Sequence, residues 1–161
     1  MSGPGATPLF VDTAAFLARF KPDDQNHDAA VELFDGIRHG EYVYRPLYTS
    51  RYVLSELATL LVRKAGHADA VRVLETIRDS SSFTVLTLDE GLFDRVCEQF
   101  AAYDDHEISL VDHTSAVLAD DRDIEHVFTF DSTDFSTLGY VDKAVQVGLV
   151  VVLLVLYRSE S

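Results

Sequence analysis

Short apolar runs that stop at an aspartate set the tightest limit on what this chain can fold into. Leu9-Phe10-Val11 ends at Asp12, and Val127-Phe128-Thr129-Phe130 ends at Asp131. Runs this short, without regular polar alternation, suit strands buried on both faces of a sheet. Phe83-Thr84-Val85-Leu86 is a third strand, built of residues that fit a pleated surface. The segments between them carry helical spacing. Thr13–Phe20 predicts a short helix ending before Pro22, and His27–Arg38 another, with Ala30, Val31, Phe34 and Ile37 on one stripe and Gly40 as the stop. Ser50 to Ala65 carries Val53, Leu54, Leu57, Leu60 and Leu61 at helical intervals, and Asp69–Ile77 continues the pattern. Asp89–Tyr103 reads as a helix capped by Asp89 itself, and a further one starts at Ser109 or Asp112 and runs through Ala119. Tyr42–Tyr48 contains Pro46 and reads as a short extended connection. Strands alternating with helices imply a parallel sheet covered by helices. Ligands of such sheets sit at the carboxyl ends of the strands, where both Asp12 and Asp131 stand.

The 161 residues suffice for one domain. It is expected over 9–157, between a flexible segment 1–8 and a tail 158–161. A composition 47% apolar and 25% charged excludes a disordered chain. The single cysteine, Cys97, excludes an internal disulfide framework; on its helix it is expected to be buried and inert. The six histidines lack metal-ligand spacing, and His106 and His113 are expected in structural or surface roles. Met1 to Pro8 has no apolar stretch of the signal-peptide kind, which points to the cytoplasm. Asp and Glu number 27 against 13 Lys and Arg, a formal charge of −14. Such a surface is the habit of a salt-adapted, halophilic protein, or else an acidic binding surface. It does not exclude a nucleic-acid substrate, because the field at one site can oppose the global one. Val147–Tyr157 is almost unbroken apolar sequence but too short to span a membrane; its β-branched content favours a strand in the core or at a sheet edge.

Four acidic residues sit next to apolar elements: Asp12, Glu56 in Ser55-Glu56-Leu57-Ala58-Thr59, Asp112 in Leu110-Val111-Asp112, and Asp131. Burying a carboxylate without a partner costs several kcal/mol. Four gathered in one cleft need cations or protons to hold them together. Magnesium and manganese favour carboxylate oxygens and keep positions open for water and phosphate. Phosphodiester hydrolysis is the chemistry such a site serves, through an acidified water and a stabilised leaving oxygen. Each acid also has a plain structural alternative. Asp12 and Asp112 could be helix N-caps, Glu56 a surface partner of Arg51 or Arg63, and Asp131 with Asp134 part of a turn.

The order Phe-Val-Asp-Thr at 10–13, Ser-Glu-Leu-Ala-Thr at 55–59, Val-Asp-His-Thr-Ser-Ala-Val-Leu-Ala at 111–119 and Thr-Phe-Asp-Ser-Thr-Asp-Phe at 129–135 resembles the PIN-domain ribonucleases, and among them the VapC-type toxins. The resemblance spans about Leu9 to Leu138. It implies a three-layer α/β/α sandwich with a central, mostly parallel sheet, and divalent-metal-dependent (Mg²⁺ or Mn²⁺) endonucleolytic cleavage of RNA. It further implies a homodimer and, for toxin members, a cognate antitoxin protein. By position, Asp12, Glu56, Asp112 and Asp131 match the family's catalytic and metal-binding acids, and Asp134 matches a less regular ligand. Thr13 and Thr129 match hydroxyls that flank the site. Ala14 stands where many relatives carry serine, and the apolar tail exceeds the usual last strand. Arg45, Arg51 and Arg122 are candidate phosphate contacts. A haloacid-dehalogenase-type phosphatase would want an acid at position 14, a receiver domain would want paired early acids, and no phosphate-binding glycine loop is present. The alternatives that remain are a PIN-like binding or assembly module with little catalysis and a housekeeping RNA-processing nuclease.

Overall fold

The computed structural model describes residues 5–104, 107–138, 140–145 and 153–158; for 132–134, 140–145 and 153–158 it describes the backbone. Six strands form one sheet in the order β3-β2-β1-β4-β6-β5. β1 (Thr7–Val11), β2 (Tyr44–Ser50), β3 (Phe83–Leu86) and β4 (His126–Thr129) run parallel, while β6 (Leu153–Arg158) is antiparallel to both β4 and β5 (Tyr140–Val145). Three crossovers carry the helices: α1 (Thr13–Phe20) with α2 (His27–Arg38), α3 (Arg51–Lys64) with α4 (His67–Asp79), and α5 (Glu90–Ala102) with α6 (Leu110–Asp121). The first two step one way along the sheet and the third steps back. Right-handed crossovers in opposite directions lie on opposite faces, which makes the three layers. α7 (Ser132–Thr137) follows β4 directly.

The helices of the first half lie where the apolar spacing puts them, and β3 has the predicted bounds. α3 is capped by Ser50, whose hydroxyl accepts the Val53 amide, and α5 by Asp89, whose carboxylate accepts the Leu92 amide at 2.8 Å. The start of α6 is settled by Ser109, which accepts the Asp112 amide; Asp112 is in the first turn and is not the cap. The core lies on both sides of the parallel strands, with Leu9, Phe10, Val11, Val127 and Phe128 fully enclosed. Phe34 packs on the Phe128 ring at 5.2 Å and on the Phe16 ring at 6.0 Å.

Two expectations need correction. Tyr42–Tyr48 is not a mere connection, since Tyr44–Ser50 is an inner strand between β1 and β3. The pairing passes from Thr7↔Tyr44 to Leu9↔Leu47, so β2 takes three steps where β1 takes two. Pro46 falls in that irregularity, where no ladder N–H is required. The apolar tail, where described, is a strand as expected, and of the two places open to it takes the inner one: β6 is paired on both sides, and β5, carrying Asp142 and Lys143, is the outer strand. Charged residues suit an edge because they discourage further strand pairing. Residues 147–152 of the tail lie outside the described residues. Finally, Cys97 is exposed on α5. Its apolar neighbours misled, because Val96 is the buried residue of that helix, while Phe93 and Phe100 are also exposed.

Phe128→Ala should cost about 3–5 kcal/mol in urea unfolding, because it empties the fully buried site where its ring meets Phe34 and Phe130. Val62→Ala, at a site 48% exposed, should change stability by no more than about 0.5 kcal/mol.

Candidate active site

Asp12 follows β1 directly and occupies the cap position of α1. Its amide donates to the Phe128 carbonyl, and the preceding Val11 carbonyl accepts the buried Thr49 hydroxyl at 3.0 Å. The backbone that presents the carboxylate is thus tied to β4 on one side and β2 on the other. β1 is also where successive connections turn from one direction along the sheet to the other. The crevice beyond the carboxyl ends of β1 and β4 is the place where such folds bind ligands.

The carboxylate itself is buried, 3% exposed for the residue. It makes no side-chain cap to its helix. Oδ2 accepts the Thr129 hydroxyl at 2.9 Å, and the Thr13 amide donates to the same carboxylate. Oδ1 has no hydrogen-bond partner, nor has the buried hydroxyl of neighbouring Thr13. Thr129 Oγ1 in turn accepts the Asp131 amide at 3.0 Å, so one hydroxyl fixes both the first acid and the turn that carries the last. Burial pushes the Asp12 pKa up to about 6 from 3.8; the Thr13 and Thr129 hydrogen bonds oppose this, and the negative charges of Glu56 and Asp131 add to it.

That electrostatic coupling brings three of the four acids together: Asp12 at the centre, Glu56 from the second turn of α3 and Asp131 beyond β4. Glu56 is half-buried and Asp131 exposed. Asp112, half-buried in the first turn of α6, is carried by the other layer. Asp134 lies in α7, and its side chain lies outside the described residues. The ion pairs among the described residues are Lys21–Asp23, Arg38–Asp35, Arg72–Asp69 and Arg95–Asp120, and none involves Asp12 or Glu56. Glu56 is therefore not the surface partner of Arg51 or Arg63.

Among the described residues no three Asp, Glu, His or Cys side chains form a ready-made metal cage. The donor set instead has the character of a hard-cation site that works with one or two carboxylates, water and phosphate. The orphaned Asp12 Oδ1, beside like charges and without a guanidinium or ammonium, fits such a cation.

The other expected residues separate clearly. Thr13 and Thr129 flank Asp12 as described. Arg51 opens α3, is exposed, and lines a small cleft with Ser55 and Arg78. Arg122 follows α6, ten residues past Asp112 and so about 15 Å along the axis from it. Arg45 lies in the first half of β2, toward the opposite end of the sheet from Asp12. His113 is buried, with Nδ1 2.8 Å from Gln99 Nε2 and its ring between those of Phe100 and Tyr103, a structural role; His106 lies outside the described residues. Two hydroxyls are additions to the expected set. Thr49 was hidden in a segment that did not read as a strand. Ser115 has a buried hydroxyl without a hydrogen-bond partner, on the face of α6 that carries Asp112 three residues earlier.

The sequence profile of the PIN domain matches residues 9–139. The chain is 32% identical over 136 residues to the 23S rRNA-specific endonuclease VapC20 of Mycobacterium tuberculosis, covering 83% of this chain and 96% of that protein. It is 25% identical over 130 residues to Ribonuclease VapC26 of Mycobacterium tuberculosis, covering 81% and 91%. The crystal structure of M. tuberculosis VapC20, described as a sarcin-ricin loop cleaving toxin, superposes with a TM-score of 0.73 over 83% of this chain and 96% of that one. The FitAcB structure from Neisseria gonorrhoeae, 16% identical with a TM-score of 0.53 over 80% and 91%, shares the fold.

The raised Asp12 pKa fixes the sign of a pH effect. Between about pH 4 and 6 the folded protein holds a proton that the unfolded chain has released, so metal-free stability should fall as pH rises through that window. Asp12→Asn should abolish this slope and stabilise the metal-free protein at pH 7 by up to about 3 kcal/mol, read by urea unfolding. Thr129→Val removes a hydrogen bond that favours the ionised acid, and should move the Asp12 titration above that of the wild type in a carboxyl NMR experiment.

Proposed function

The chain belongs to the PIN domain family, and on that premise we propose that it is a divalent-metal-dependent endoribonuclease, the toxin of a toxin–antitoxin pair. The observation that carries this is the buried Asp12 carboxylate, which meets two further negative charges, has one oxygen without a partner and has no cation of its own. Asp12, Glu56, Asp112 and Asp131 are proposed as the catalytic and metal-binding acids, with Asp134 as an outer ligand. Either Mg²⁺ or Mn²⁺ suits their oxygens. When bound, the cation supplies charge against the phosphate oxygens and acidity to a water.

The chain's own groups do the positioning. Thr129 holds Asp12 Oδ2, which turns Oδ1 into the free donor, and the same hydroxyl anchors the Asp131 amide. Burial of Asp12 excludes bulk water from that donor and strengthens its attraction for a cation. Glu56 and Asp131, more exposed, remain open to the cleft where an RNA phosphate would enter.

Partners follow by the same likeness. Relatives named as an rRNA-specific endonuclease and a ribonuclease support RNA as the substrate, and the likeness to VapC20, a toxin, supports a protein antitoxin. A homodimer has a place to form: Phe93, Cys97 and Phe100 are exposed at helical spacing on α5, and Tyr52 of α3 stacks with Phe93 at 6.4 Å. No helix among the described residues is long and apolar enough to cross a membrane, and a cytoplasmic site of action suits an RNA substrate. The excess of Asp and Glu suits a salt-adapted protein, whose melting temperature should rise as KCl screens the repulsion.

Structured RNA should be cut in Mn²⁺ or Mg²⁺ and left intact in EDTA. Asp12→Asn should lower the rate at least about a hundredfold while keeping the fold. Activity surviving both EDTA and Asp12→Asn contradicts the proposal, and a folded protein inert with every divalent ion supports a binding or assembly module instead. The wild type should also gain melting temperature with Mn²⁺, and Asp12→Asn should not.

A further inference from the structure

Among the described residues three buried side-chain atoms have no hydrogen-bond partner: Asp12 Oδ1, Thr13 Oγ1 and Ser115 Oγ. The first two belong to the acid site already described. Ser115 stands on another element, the buried middle of α6. A hydroxyl enclosed and left alone costs free energy, so its isolation requires a reason. Space filling is the plain alternative, because α6 is closely packed and every residue from His113 to Ala119 is buried. A hydroxyl kept only for its size would turn back onto its own helix. Thr59, Thr76 and Thr114 all do so, each donating to the carbonyl four residues earlier, and Thr114 does it from the position next to Ser115. Ser115 makes no such bond to the Val111 carbonyl.

Helix geometry fixes where that hydroxyl lies. Ser115 follows Asp112 by three residues, about 4.5 Å along the axis and about 60° around it. Side chains of a helix lean toward its N-terminus, so the one from Ser115 reaches back over the turn that carries Asp112. That is also the nearer way out of the packing. Leu110, Val111 and Asp112 are half-buried, whereas exposed residues at the other end of α6 begin only at Asp120. α6 further meets α3, the helix of Glu56.

We propose that Ser115 is a positioning residue of the acid site, its oxygen accepting a hydrogen bond from a water in the hydration shell of the divalent cation, on the side of Asp112. The proposal rests on the reading of Asp12, Glu56, Asp112 and Asp131 as cation-binding acids, and adds a neutral group to them. A magnesium ion bound through one or two carboxylates keeps several waters. The lone pair of such a water faces the cation, so its hydrogens point outward and need acceptors. Further carboxylates would accept them only by adding like charge. A hydroxyl accepts without adding charge, which suits a site where Glu56 and Asp131 already work against the ionised Asp12. Partners of this outer kind orient what the cation holds and raise the affinity for it.

The test is Mn²⁺ binding, followed by electron paramagnetic resonance of the free ion, together with thermal unfolding of the metal-free protein. Ser115→Ala should weaken Mn²⁺ binding at least about tenfold, the loss expected of an outer partner. The same variant should raise the metal-free melting temperature, since it removes a buried hydroxyl without a partner and leaves a better helix former. Thr114→Ala removes a hydroxyl already bonded within the helix. It should lower the melting temperature and leave Mn²⁺ affinity within about threefold of the wild type. The proposal is overturned by a smaller loss of affinity in Ser115→Ala, or by a metal-free melting temperature of that variant below the wild type, the mark of a hydroxyl kept for structure. A loss in Thr114→Ala as large as that in Ser115→Ala overturns it as well, because the effect then belongs to the packing of α6. Asp12→Asn judges the acid site separately. Mn²⁺ binding that Asp12→Asn abolishes and Ser115→Ala leaves intact keeps the acid site and rejects Ser115, while binding that does not depend on Asp12 rejects both.

Discussion

One hydrogen bond holds the site in shape: the Thr129 hydroxyl donates to Asp12 Oδ2 at 2.9 Å, inside the protein and between two neighbouring parallel strands. A carboxylate in that position is costly, because burial removes water that would have stabilised its charge. Thr129 and the Thr13 amide return part of that stabilisation, and Glu56 and Asp131 work against it. The balance leaves an acid with a pKa of about 6 and one oxygen unused. A structural aspartate has little reason to be left so, while a cation ligand has every reason.

The fold exists to make that placement rigid. β1 is enclosed by β2 and β4, Thr49 bonds the carbonyl before Asp12, and Phe128 fixes its amide. Glu56 arrives because α3 begins at the last residue of β2 without an intervening loop. The site is thus built from strand ends and first turns, where the chain has the least freedom. Acids that are distant in sequence share a field because their elements end at one edge of one sheet.

Much of this is legible in the sequence. Apolar runs ending at Asp12 and at Asp131 give the strand ends, and the three- and four-residue spacing gives α1, α2 and α3 closely. What escaped was contextual. Pro46 argues against a strand by its missing N–H, yet a register irregularity accommodates it. Cys97 sits among apolar residues, yet α5 turns that face outward. The tail's apolar, β-branched content gives a strand but not its neighbours: core and edge both suit it, and topology puts the described part between β4 and β5.

The most direct measurement is a carbon-13 NMR titration of the Asp12 carboxyl, with and without Mg²⁺. A buried carboxylate waiting for a cation predicts a midpoint near 6 in metal-free protein, falling well below that when Mg²⁺ competes with the proton. A midpoint at the ordinary aspartate value of 3.8, unmoved by Mg²⁺, would contradict the account.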